Sequence, residues 1–248
     1  MEFSIVTPVY NDPRIERALD SVVGQTGVSN VEIIVVDGGS TDKTVEIVRS
    51  YEDDLDVLIR EPDDGIYDAM NKGIRRATGD VVGVLNADDR YTDGSVLADV
   101  ENRLRETGAD VCYGDLVYVD AEDAIVRYWQ SGDFRPRRFY LGWMPPHPTF
   151  FVRNEVYERY GLYDIGYRIA ADYELMLRYL LKEDVTAAYV DRTLVRMASG
   201  GESNQSLRNV ARANREVVRA WRENSLAGGW FVPFFKLLRK PFQFTAAR

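Results

Sequence analysis

The sequence holds a single cysteine, Cys112, and a single histidine, His147, in 248 residues. A lone thiol makes no intramolecular disulfide and no Cys-based zinc site, so the composition fits a reducing compartment and a cytoplasmic location. Nowhere is there an uncharged stretch approaching the roughly 20 residues that a membrane-spanning helix needs. The N-terminus puts an acid at position two and no basic segment before its apolar run, unlike a secretory signal. Positive charge is in deficit. The 31 Lys and Arg stand against 40 Asp and Glu, a net charge of −9, and that field argues against a nucleic acid partner. Neither G-x-G-x-x-G nor G-x-x-x-x-G-K-[ST] follows a strand-like run, which counts against dinucleotide and P-loop sites.

What is present is a chain 45% hydrophobic and 29% charged, long enough to bury a sizeable core. Short β-branched runs over 3–6, 31–36, 57–59 and 81–85 read as strands buried on both faces. Between them, Ile15, Ala18, Leu19, Val22 and Val23 follow one helical stripe, and Ile66, Ala69, Met70, Gly73, Ile74 and Ala77 a second. This alternation predicts an α/β fold with a central, mostly parallel sheet, whose ligand crevice lies at the carboxyl ends of the strands. After residue 110 a hairpin over 111–119 and 125–129 makes the sheet mixed. The Pro-, Arg- and aromatic-rich stretch 134–148 reads as loops lining a site. A strand over 149–152, helices over 155–160 and 173–181, and a long helix over 205–223 follow. Residues 1–204 thus read as one domain and 205–248 as a helix plus tail.

Three polar segments sit directly after strands: Thr7–Asn11, Asp37–Asp42 and Asn86–Asp89. Carboxylates held rigidly at that edge suit Mg²⁺ or Mn²⁺, with a diphosphate completing the coordination. Read alone, Asp88-Asp89 would equally start a turn or cap a helix near Ser95, and Asp37–Asp42 would be a plain helix start.

Taken in order with the run Gly-Ile-Tyr-Asp-Ala-Met-Asn-Lys-Gly over 65–73, these segments resemble the family 2 nucleotide-sugar glycosyltransferases over about residues 3–200, in particular the branch that builds bacterial O-antigen and exopolysaccharide. The resemblance implies a GT-A fold, a divalent metal, a UDP-, GDP- or dTDP-sugar donor and inversion at the anomeric carbon. It implies donor contacts at Thr7, Pro8, Tyr10, Asp37, Asn71, Asn86 and Asp88, and metal at Asp88 and Asp89; His147, ahead of Thr-Phe where relatives often carry His or Gln, would touch the diphosphate or the acceptor, or else serve only the structure. Asn86 stands where many relatives carry Asp. The implied catalytic base is Asp172 in Ala170-Ala171-Asp172-Tyr173-Glu174, where relatives often show Glu-Asp; a carboxylate there would accept the proton of the attacking hydroxyl. Without the resemblance, Asp172 would read as a helix cap. The Gln-x-x-Arg-Trp segment of processive relatives is absent, so transfer of one sugar to a glycan or lipid-linked acceptor is expected.

The loop Ser199-Gly-Gly-Glu-Ser203 resembles one that closes over donor phosphates. From Trp230 onward, six aromatics and four cations with no acid make a basic amphipathic element. It suits the cytoplasmic face of an anionic membrane, or packing on the body or on a second subunit. Two other readings stay open: a sugar-nucleotide pyrophosphorylase, which would open with a basic Gly-rich loop where this chain has Pro8–Asp12, and a non-catalytic nucleotide-sugar-binding scaffold.

Overall fold

The computed structural model describes residues 1–199 and 207–233. In chain order its elements are β1 (Glu2–Val9), α1 (Ile15–Val23), β2 (Asn30–Asp37), α2 (Thr44–Ser50), β3 (Val57–Arg60), α3 (Ile66–Ile74), β4 (Val81–Val84), β5 (Asp89–Tyr91), α4 (Val96–Thr107), β6 (Val111–Val119), β7 (Ile125–Trp129), α5 (Pro136–Tyr140), β8 (Phe151–Arg153), α6 (Asn154–Tyr160), α7 (Ala171–Leu177), β9 (Ala187–Ala198) and α8 (Leu207–Glu223). The strands form one nine-stranded sheet in the order β3-β2-β1-β4-β8-β6-β9-β5, with β7 paired to β6.

The first half is parallel, β1 lying between β2 and β4. Alternate residues of these strands serve opposite faces, as the pleat requires. Val6, Ile34 and Val36 join the core beneath α3, while Ile5, Ile33 and Val35 join the core beneath α1 and α4. Gly73 lets α3 close onto β1, since any Cβ there would overlap Val6. The two helical stripes are buried with three exceptions: Val23 is 42% exposed, Ala77 is half-buried, and Ile66, 43% exposed, faces the cleft described below.

The second half departs from the sequence reading. The stretch 134–148 holds α5, begun by a proline at its first turn, and buries Phe139 and Trp143 in the core; only His147 and Pro148 of this stretch reach the cleft. A 3₁₀ turn over His147–Thr149 delays the next strand to Phe151. β5 and β9 carry no clear sequence signal: β5 has three residues, and Asp191, Arg192 and Arg196 interrupt the alternation of β9.

The long C-terminal helix shares the core of the body. Val217, Ala220 and Trp221 are buried against α7, and Trp221 Nε1 donates to Tyr173 Oη at 2.7 Å. Gly229 and the buried Val232 then fold back over Trp221. Trp230 and Phe231 stack on each other and stay 68% and 47% exposed. Gln205 and the tail beyond Pro233 lie outside the described residues. Among the described residues, no helix is long and apolar enough to cross a membrane.

Candidate active site

The carboxyl ends of β1 and β4, the start of α3 and the segment entering α7 enclose a cleft of about 740 Å³. Of the residues singled out in the sequence, Pro8, Tyr10, Asn86, Asp88, His147 and Asp172 stand on its wall. Thr7, Asp37, Asn71 and Asp89 do not; all four are buried behind it.

The loops after β1 and β2 are tied together by Asn11. Its backbone adopts the left-handed conformation that asparagine tolerates. Its amide N–H reaches Ser40 Oγ at 2.9 Å, and its Oδ1 accepts the Thr41 N–H at 2.9 Å. Asp37 is spent on its own turn, accepting the Gly39 and Ser40 N–H groups and pairing with Arg60 at 3.2 Å. Asn71 is likewise committed: its amide bonds the backbone of Tyr163 in both directions, at 2.8 and 3.0 Å. Toward the cleft the loop after β1 turns Tyr10, 64% exposed, together with Asp12 and Arg14. The loop before α3 folds Asp63 over Gly38, so Asp63 joins the wall while Asp64 does not.

At the end of β4 the chain turns through Asn86–Asp89 into β5. Burial raises the Asp88 carboxyl above the ordinary range, against the pull of Arg14. Asp89, deeper, is pushed well above it by burial and then by the charge of Asp88. Asn86 Oδ1 and Asp89 Oδ1 are buried with no hydrogen-bond partner. Among the described residues no three His, Cys, Asp or Glu side chains form a ready metal cluster. One cleft-facing carboxylate flanked by two unpaired hard oxygens does fit a magnesium-type ion whose remaining ligands are substrate phosphates and water.

Arg14, from the loop entering α1, is a residue the sequence reading missed. Its guanidinium takes Asp12 with two bonds, 2.8 Å from Nε and 2.6 Å from Nη2, and reaches Asp88 Oδ2 at 3.6 Å. The Asp12 hydrogen bond is the main reason the Arg14 pKa is raised. Arg168, also missed, is a second arginine on the wall. Both lie outside any periodic pattern; the one local signal is that Arg14 follows closely on the Thr7–Asn11 segment.

Opposite the acidic turn, Asp172 stands in the first turn of α7. Tyr67, from the first turn of α3, brings its hydroxyl within 3.4 Å of Asp172 Oδ1. His147 Nε2 lies 2.8 Å from Tyr163 Oη, and burial lowers the imidazole pKa, with Asp172 acting in the other direction. Ser199 stands on the wall; the rest of the Gly-Gly loop lies outside the described residues.

Comparison with known proteins agrees with this geometry. The family model "Glycosyl transferase family 2" matches residues 4–161. A "PGL/p-HBAD biosynthesis glycosyltransferase" of Mycobacterium bovis is 31% identical over 193 residues, 76% of this chain and 73% of the relative. An uncharacterized glycosyltransferase of Mycobacterium tuberculosis is 33% identical over 181 residues, 72% and 68% of the two chains. Among solved structures, S. aureus TarS in complex with UDP superposes with a TM-score of 0.68 at 18% identity, covering 96% of this chain and 71% of TarS. The mannosyltransferase PcManGT of Pyrobaculum calidifontis, in complex with GDP-Man and Mn²⁺, gives 0.65 at 21% identity, covering 99% and 72%. At these identities the likeness is one of fold.

Proposed function

Since the chain belongs to glycosyl transferase family 2, with its GT-A fold, and is thereby a sugar-transferring enzyme of glycoconjugate biosynthesis, we propose that it is an inverting, metal-dependent transferase. It moves one sugar per encounter from a UDP-, GDP- or dTDP-sugar to a hydroxyl of a glycan or lipid-linked acceptor. The observation that carries this reading is the gathering of two carboxylates on the wall of one cleft, Asp88 from the end of β4 and Asp172 from the start of α7. The donors in complexes of the fold neighbours, UDP-GlcNAc in TarS and GDP-Man with Mn²⁺ in PcManGT, support the substrate class.

In this reading the exposed ring of Tyr10 offers a face to the nucleotide base. Asp88, with the unpaired oxygens of Asn86 and Asp89, would hold Mg²⁺ or Mn²⁺, which when bound neutralises charge on the departing diphosphate. Asp172 accepts the acceptor hydroxyl proton as its oxygen bonds to the anomeric carbon from the side opposite the diphosphate. The C1–O bond to the diphosphate breaks with its electron pair leaving on the nucleotide, and the configuration inverts. His147, held neutral and bonded to Tyr163, shapes the wall between the two carboxylates.

Residues 1–204 form the catalytic unit in this proposal, with α8 as its support. The exposed Trp230 and Phe231 begin a basic aromatic tail that docks the enzyme peripherally on the cytoplasmic face of the membrane, near a lipid-linked acceptor.

Calorimetric titration with UDP, GDP and dTDP and their sugars, with Mn²⁺ and then with a chelator, tests the reading. Metal-dependent binding of one nucleotide is expected, and binding of none overturns it. Asp172→Asn should keep donor affinity while abolishing transfer; equal loss of both refutes the base role.

A further inference from the structure

The catalytic-side carboxylate sits on a helix that lacks a local cap. α7 has seven residues, and Ala170 before it supplies no side-chain hydrogen bond. The segment leading into it is held from two distant elements. Glu216 of α8 accepts three successive backbone N–H groups: Arg168 at 3.2 Å on Oε1, and Ile169 and Ala170 each at 2.9 Å on Oε2. From the other side, Tyr67 of α3 donates its hydroxyl hydrogen to the Ile169 carbonyl at 2.8 Å. The Ile169 peptide is therefore gripped at both its N–H and its neighbouring C=O.

We propose that Tyr67 and Glu216 are positioning residues, a two-sided clamp that fixes where Asp172 enters the cleft. The proposal rests on the reading of Asp172 as base. The Tyr67 hydroxyl bonds the Ile169 carbonyl at 2.8 Å and Asp172 Oδ1 more weakly at 3.4 Å, so it touches the carboxylate as well as the segment that leads to it. The grip matters because a base must lie within hydrogen-bond reach of the reacting hydroxyl. It also gives the tyrosine of the 65–73 run a task, and it makes α8 part of the catalytic apparatus.

Amide hydrogen exchange at residues 168–170 and steady-state kinetics on the full-length protein test the clamp together. The probe is UDP-GlcNAc or GDP-mannose, whichever the wild type converts to free nucleotide. Glu216→Ala should speed exchange at 168–170 and lower kcat by about 10²-fold, with the donor KM within about threefold, the pattern of a misplaced catalytic group. Tyr67→Phe should lower kcat by about tenfold with the same split. Glu216→Gln keeps an acceptor oxygen and should recover part of the loss. If Glu216→Ala does not fold, the other two variants carry the test unaided. Faster exchange with unchanged kcat overturns the clamp, and so do unchanged exchange or a parallel loss of kcat and donor affinity. An active Asp172→Asn variant defeats the base reading; an inactive one beside a fully active Tyr67→Phe defeats the clamp alone.

Discussion

Arg14→Ala addresses the charge balance of the donor site. The cleft wall is lined by Asp12, Asp63, Asp88 and Asp172 against Arg14 and Arg168, and in the proposed function it receives a diphosphate. Arg14 lies 3.6 Å from Asp88, a separation worth about 1 kcal/mol in a water-like dielectric and about 5 kcal/mol at an effective dielectric near 20. With the Arg14 side chain 56% exposed and that of Asp88 23%, the lower end governs, about 1–2 kcal/mol. Without Arg14, an incoming diphosphate meets Asp12 and Asp88 unneutralised. Its affinity in chelator should fall about 5- to 30-fold, and saturating Mn²⁺ should restore most of the loss. Calorimetry with the nucleoside diphosphate that the wild type binds, with and without metal, reads both quantities. Unchanged or tighter metal-free binding would refute the reasoning, because Arg14 would then block Asp88 and not assist the donor.

Two further outcomes follow from burial. Burial holds the His147 imidazole below its ordinary pKa of 6.5, so below about pH 6.5 the unfolded chain takes up a proton that the fold resists, and stability is lost as pH falls. His147→Gln removes that contribution: the urea midpoint should drop less between pH 7.5 and 5.5 than in the wild type, and an identical drop would sink the account. Truncation after Pro233 should leave the fold intact while weakening sedimentation with anionic liposomes. Truncation before Gly228 strips Val232 from the core and uncovers Trp221, costing about 2–3 kcal/mol, so thermal melts should separate the two truncated chains by several degrees; equal melts would show that the 229–232 turn contributes nothing to stability.

The donor side was legible because each of its parts is a short segment at the end of a buried strand. A β-branched run followed by Thr-Pro-Val-Tyr-Asn, or by Asn-Ala-Asp-Asp, places its polar residues by local geometry alone, and the parallel sheet brings the ends together. Distinguishing wall from support was harder. Asp37 and Asp88 follow strands in the same way, but Asp37 turns inward to its own backbone and Arg60 while Asp88 faces the cleft, a difference decided by Gly39 at positive φ and by the position of Arg60.

The surroundings of the proposed base were illegible for a different reason: their contacts are between elements far apart in sequence. Asp172 was singled out only through the family resemblance, and Tyr67 and Glu216 reach it or the segment before it only because α3 packs on β1 and α8 packs on α7. Neither contact leaves a period or a spacing in the chain. Glu216 sits on a strongly amphipathic helix where a partly buried acid reads as ordinary surface, and only the three backbone N–H groups aimed at it show otherwise. Strand-end residues answer to the sheet that carries them, whereas Asp172, the proposed base, follows a segment held by side chains of α3 and α8. A sequence reading should therefore be expected to find the donor half of such a cleft first.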